Sequence, residues 1–133
     1  MPYFDYWFHN IVSAAGLISS PDSLTRAWIQ KDKSVTSAYD IDELLEQLIG
    51  DLRLHETIDA FADGLRHMGA LDAVGAFAKA LLELEETLSR DSCLRSPENL
   101  LASPAWAGIV TLARRITELP AARTYTASLH QTS

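Results

Sequence analysis

Between Asp40 and Asp63 the chain reads DIDELLEQLIGDLRLHETIDAFAD, and the apolar residues of its first half recur with the period of an α-helix. Ile41, Leu44, Leu45, Leu48, Ile49 and Leu52 fall at i, i+3, i+4, i+7, i+8 and i+11, which sets them along one stripe. A stripe of that width has to be covered by other elements, so it constrains the whole chain. Asp40 followed by Glu43 has the form of a capping box, with Asp40 as N-cap and Glu43 at N3. Beyond Leu54 the phase shifts. Ile58, Phe61, Ala62 and Leu65 form a second stripe that ends near Gly69, read as a C′ glycine.

The outward positions of this stretch are acidic. Asp40, Asp42, Glu43, Glu46, Asp51, Glu56, Asp59 and Asp63 are its eight acids and Arg53 its one base. The rest of the chain holds ten acidic and ten basic residues, so the formal charge of −7 sits in these 24 residues. Part of the acidity has a local use, because Asp42 and Glu43 suit the positive end of a helix dipole. At about 100° per residue, Glu56, Asp59 and Asp63 share one narrow sector opposite the Ile58 stripe. Asp59 and Asp63 are a like-charge i, i+4 pair, which costs about 0.2–0.5 kcal/mol, and Arg66 offsets part of it. A tolerated repulsion is compatible with a surface kept for a partner. An ordinary solvated face, which keeps a small protein soluble, is equally compatible with it.

Helical spacing continues on both sides. Tyr3, Phe4, Trp7, Phe8, Ile11, Val12 and Ala15 predict a first helix with an aromatic inner side, ending near Gly16. Ser20-Pro21 reads as N-cap and N1 proline of a second helix that buries Leu24, Ala27 and Trp28. Residues 34–39 read as an extended Ser/Thr-rich connection. After the acidic pair, Asp72 is expected to cap a fifth helix carrying Val74, Phe77, Ala78, Leu81, Leu82, Leu84 and Leu88. Ser96-Pro97 opens a short turn through Leu101. Ser103-Pro104 opens the last clear helix, with Trp106, Ile109, Val110, Ala113 and Ile116 inward and Pro120 as its breaker. Residues 121–133 read as a polar, fraying tail. Strand signals are almost absent. The expected fold is all-α, a single-domain bundle of five to seven helices.

Composition narrows the function. With 133 residues, 47% apolar and 22% charged, the chain suits one globular domain with its own core. A pI near 4.9 argues against gripping a nucleic-acid backbone or an anionic membrane. The N-terminus MPYFDYWFHN has no basic region before its apolar residues, and no apolar run is long enough to span a bilayer. The reading is a cytoplasmic protein. One cysteine, Cys93, excludes an internal disulfide.

No catalytic constellation stands out. His9, His55, His67 and His130 lack metal-ligand spacing, so neither metal nor cofactor is expected. His55 and Glu56 are neighbours on a helix and are expected to point apart. Cys93, in a loop beside Asp91 and Arg95, reads as a half-buried small residue rather than a nucleophile. The paired carboxylates read as surface, where nothing raises a pKa for general-acid work. The expectation is a protein that works by contact and not as an enzyme.

The natural target of a concentrated acidic face is a basic surface, such as that of a nuclease. In size, low pI, missing signal peptide and the segment SVTSAYDIDELLEQLIGDL, the chain resembles the small acidic immunity proteins of bacterial toxin–immunity pairs. These include the partners of contact-dependent growth inhibition toxins and other polymorphic toxins. The resemblance implies a basic cognate toxin domain as partner, neutralised by occlusion. The contact face then falls on this chain's own acids, Asp42, Glu46, Asp51, Glu56, Asp59 and Asp63, with Tyr39 as an aromatic anchor at the rim. Two alternatives stand beside it. One is a helical adaptor or homodimer that uses surplus apolar surface. The other is an enzyme or small-molecule binder with a cavity among the aromatic residues of the first helix, lined by Cys93 or a histidine.

Overall fold

Helix α1 (Pro2–Ile18) carries Trp7, Phe8, Ile11, Val12, Ala15 and Ile18 on one side, and all six are buried. The stripe continues through Gly16, whose backbone has no need of a positive φ, so the helix closes two residues later than the glycine suggested. The coordinates are a computed structural model that describes residues 2–36, 38, 40–120 and 122. Expectations placed on the Tyr3 side chain, Tyr39, His130 and the fraying tail lie outside the described residues, apart from Ala122 of the tail, which is helical and buried.

Among the described residues the chain forms seven helices and no strand, an all-α single-domain bundle as the spacing predicts. Helix α2 covers residues 21–29 and α3 residues 41–51. Helix α4 covers residues 54–67, with Leu54–Ala60 and Ala62–His67 joined through a kink at Phe61. Helix α5 is Leu71–Arg90, α6 is Pro97–Leu101 and α7 is Pro104–Thr117, with a 3-10 turn at Ser92–Arg95. Helix α7 packs on both α1 and α5. Its Trp106 ring lies 5.5 Å from that of Trp28 on α2.

Several local signals read from the sequence do the work assigned to them. The Asp40 carboxylate accepts the Glu43 N–H at 2.7 Å and caps α3. Ser103 accepts the Trp106 N–H at 3.2 Å and caps α7. Gly69, at φ +70°, closes α4: its N–H donates to the Arg66 carbonyl at 3.0 Å, and the Ala70 N–H to that of Leu65 at 2.8 Å. Those two bonds form a Schellman closure, which uses a left-handed C′ residue. Two expected details differ. Ala70 is the N-cap of α5, and Asp72 lies in its first turn with no side-chain cap. Cys93 is exposed in the 3-10 turn, because Leu94 takes the inward position.

Helices α2 and α3 end alike. The second half of each, Thr25–Ile29 and Glu46–Asp51, is wound as a wider π-helix. The Gln30 N–H reaches back to the Thr25 carbonyl and the Leu52 N–H to that of Gln47, both at 3.0 Å. The next residues, Lys31 and Arg53, then turn left-handed at φ 62° and 50°. Two buried tryptophans hold the chain around these turns. The Trp28 indole N–H donates to the Ala38 carbonyl at 2.8 Å, and that of Trp7 to the Leu52 carbonyl at 3.1 Å. Beyond the first turn, Asp32 accepts from the Ser34 hydroxyl, the Ser34 N–H and Arg26, which together hold its carboxyl below the ordinary value.

Replacing Trp7 by Phe keeps a ring in the core but removes the nearer donor of the Leu52 carbonyl, leaving the Thr57 hydroxyl at 3.5 Å. The expected loss is about 0.5–1.5 kcal/mol in urea unfolding, with the same helix content by circular dichroism. A variant as stable as the parent contradicts the role given to that bond.

Candidate functional site

The acidic stretch occupies α3, the left-handed break at Arg53, and α4. Burial of Ile41, Leu44, Leu45 and Leu48 turns the acids of α3 outward. Asp42, Glu46, Asp51, Glu56, Asp59 and Asp63 are all exposed. Helix α4 is anchored through Phe61, whose ring stands 5.1 Å from both Phe4 and Trp7. Seating that ring on the aromatics of α1 draws Phe61 out of helical geometry, at φ −105° and ψ 13°. The kink therefore lies between Asp59 and Asp63, the two like charges that share a sector in a straight helix.

Five of the six acids fall into two sets, and Asp51 stands at the end of α3 outside both. Asp42 and Glu46 line one cleft with Glu85 and Leu88 of α5, Gly50 of α3 and Arg95 of the 3-10 turn, about 340 Å³ in volume. Arg95 pairs with Asp42 across 53 residues of sequence. The Glu46 carboxylate folds back over Gly50, where an added Cβ would stand only 2.8 Å from its Oε1. Glu56, Asp59 and Asp63 lie outside that cleft on α4. This helix meets α5 near its start, with Ile58 beside Gly75. Thirteen residues of α5 separate Gly75 from Leu88, about 20 Å along the helix axis.

Neutralisation is partial. Asp42 is paired with Arg95, Glu56 with Arg53 at 3.0 Å, and Asp63 with Arg66 at 3.0 Å. Among the described residues no cation pairs with Glu46, Asp51 or Asp59. These pairs are exposed, so each contributes roughly 0–1 kcal/mol at most. Full burial of one leucine of the α3 stripe contributes about 1.5–3 kcal/mol. Position on this face is therefore set by the core, and the carboxylates are carried by it.

His55 departs from expectation. Its Nε2 lies 3.5 Å from the Glu56 carboxylate, so the adjacent side chains meet instead of pointing apart. The left-handed Arg53 just before them starts α4, and first-turn side chains have no preceding turn to separate them. The His55 Nδ1 is buried and has no hydrogen-bond partner. Glu85 and Arg95 were not singled out as members of the site. Nothing in the sequence near Asp42 announces a cation 53 positions away.

Among the described residues, no group of three or more His, Cys, Asp and Glu is placed to hold a metal ion. No described helix is long and apolar enough to cross a membrane. Gly50→Ala is expected to push the Glu46 carboxylate out of the cleft without unfolding α3. The atom in the way is the free end of a flexible side chain, so unfolding free energy stays within about 1 kcal/mol of the parent. Urea titration checks the stability and a crystal structure of the variant checks the rotamer. Arg95→Ala is expected to cost less than about 1 kcal/mol in the same titration. Compared with protein-family models, curated proteins and solved structures, the chain matches none.

Proposed function

We propose that the chain is an immunity-type protein that binds a basic toxin domain, of nuclease type, and neutralises it by covering its active surface. One observation carries the reading most: six of the eight acids in the segment that holds the whole net charge are exposed, and Glu46, Asp51 and Asp59 keep no cationic partner among the described residues. A surface that binds phosphates is rich in Lys and Arg, and unpaired carboxylates on a rigid scaffold are complementary to it. Such complementarity raises the encounter rate and selects the partner, while packed contacts set the lifetime of the complex.

The cleft of Asp42, Glu46 and Glu85 suits insertion of a Lys or Arg side chain from the partner. Three carboxylates there face one guanidinium, which leaves an excess of negative charge in a concave site. Burying a basic side chain in that place gives charge-assisted bonds stronger than exposed surface pairs. Helix α4 then extends the contact along the molecule. The homodimer alternative has no observation in its favour, because Tyr6 and Ile29 are the large apolar side chains left exposed among the described residues.

The test is affinity capture from lysate of the source cell with the parent chain and with the triple variant Glu46→Lys, Asp51→Lys, Asp59→Lys. The parent should retain a basic protein at low salt, lose it progressively as salt rises, and inhibit its nuclease activity when added back. The triple variant should lose at least about tenfold in affinity, since each reversed contact is worth on the order of 1 kcal/mol or more. Retention of the same protein by the variant, or binding indifferent to salt, refutes the reading.

A further inference from the structure

The groove between α2 and α7 is unlike the acidic side of the molecule. Its α7 wall presents Val110, Thr111 and Arg114, which share one face of the helix by their spacing. Leu24 and Thr25 of α2 stand opposite, and Ile18 at the end of α1 supplies floor. Trp28, near the C-terminal end of α2, lies against Trp106, near the N-terminal end of α7. Of the two rings only Trp106 lines the groove, and along the α7 wall it stands at one end and Arg114 at the other. Trp106 and Arg114 are eight residues apart on α7, about 12 Å along its axis. The groove encloses about 460 Å³, within the usual range of small-molecule sites.

Two polar groups in it are unused. The indole N–H groups of Trp7 and Trp28 each donate to a backbone carbonyl. That of Trp106 donates to nothing among the described residues, although Trp106 is only 2% exposed and lines the groove. The Trp106 nitrogen still reaches solvent, because His55 Nδ1 is the one buried side-chain nitrogen or oxygen without a partner among the described residues, so the N–H is open to an incoming acceptor. Arg114 is the one ionisable group in the lining, and it forms no ion pair among the described residues. An unpaired guanidinium in so acidic a chain attracts an anion, and its fork fits a carboxylate. Between these two groups the lining is mainly apolar, with Ile18, Leu24, Ala107 and Val110 beside the hydroxyls of Thr25 and Thr111.

We propose that this groove binds a small amphipathic carboxylate whose far end carries a hydrogen-bond acceptor. The carboxylate lies on the Arg114 guanidinium. The aliphatic chain runs along Val110, Leu24 and Ile18. The distal oxygen accepts from the Trp106 indole N–H. The site is separate from the acidic cleft and does not depend on the partner proposed above.

The experiment is an amide and indole NMR titration of the full chain with ω-hydroxydecanoate, with decanoate and the matching decane diol as comparators. The Trp106 indole signal should shift saturably with ω-hydroxydecanoate, while those of Trp7 and Trp28, already bonded, stay in place. Arg114→Gln should weaken ω-hydroxydecanoate about tenfold and leave the diol unchanged. Because Arg114 is exposed, the variant should keep the parent spectrum elsewhere, which shows that it is folded. A still Trp106 signal, equal binding of ω-hydroxydecanoate to the variant, or equal affinity for decanoate each overturns the assignment.

Discussion

One hydrogen bond fixes where the acidic segment breaks. The Leu52 carbonyl lies at the end of α3, just before the left-handed Arg53, and the Trp7 indole N–H reaches it from the core of α1. That part-buried bond contributes about 0.5–1.5 kcal/mol, and the Thr57 hydroxyl backs it from 3.5 Å. A left-handed non-glycine residue adds roughly 1–2 kcal/mol of strain. The break persists because Trp7 holds one side of it and Phe61, packed on Phe4 and Trp7, holds the other. Charge is not what shapes this region. The carboxylates ride on two helices whose directions are set by aromatic packing and one indole bond.

That arrangement has a consequence for recognition. Exposed ion pairs contribute little to folding, so the acids of α3 and α4 are free to vary in partner without loss of the scaffold. Three of them have found arginines nearby in the fold and three have not. The unpaired ones span the break: Glu46 and Asp51 belong to α3 and Asp59 to α4. A partner that contacts both helices thus reads the angle fixed at Arg53 as well as the charge. The groove between α2 and α7 carries the reverse chemistry, with an unpaired cation beside a mainly apolar lining.

Much of the fold was legible because its signals are local. The α3 stripe, the Asp40 cap, the Ser103 cap and Gly69 each act within four or five residues, and each is found where the spacing put it. The α5 and α7 stripes were equally plain. Four elements were hidden for a common reason. The kink at Phe61, the π-helical ends of α2 and α3, the Asp42–Arg95 pair and the inward turn of Leu94 over Cys93 all depend on contacts between distant parts of the chain. Helical periodicity marks which face is buried and says nothing of where a ring will seat. The division of the acids into two sets follows from the same gap, since a wheel drawn on each helix gives no relative placement along α5.

The central claim is that the outward carboxylates of α3 and α4 meet a basic protein. The most direct measurement is hydrogen exchange of this chain alone and bound to the captured nuclease, read peptide by peptide. Slowed exchange confined to residues 41–67 and the adjoining end of α5 is the expected footprint. Slowing centred on α2 and α7, with residues 41–67 unchanged, contradicts the claim.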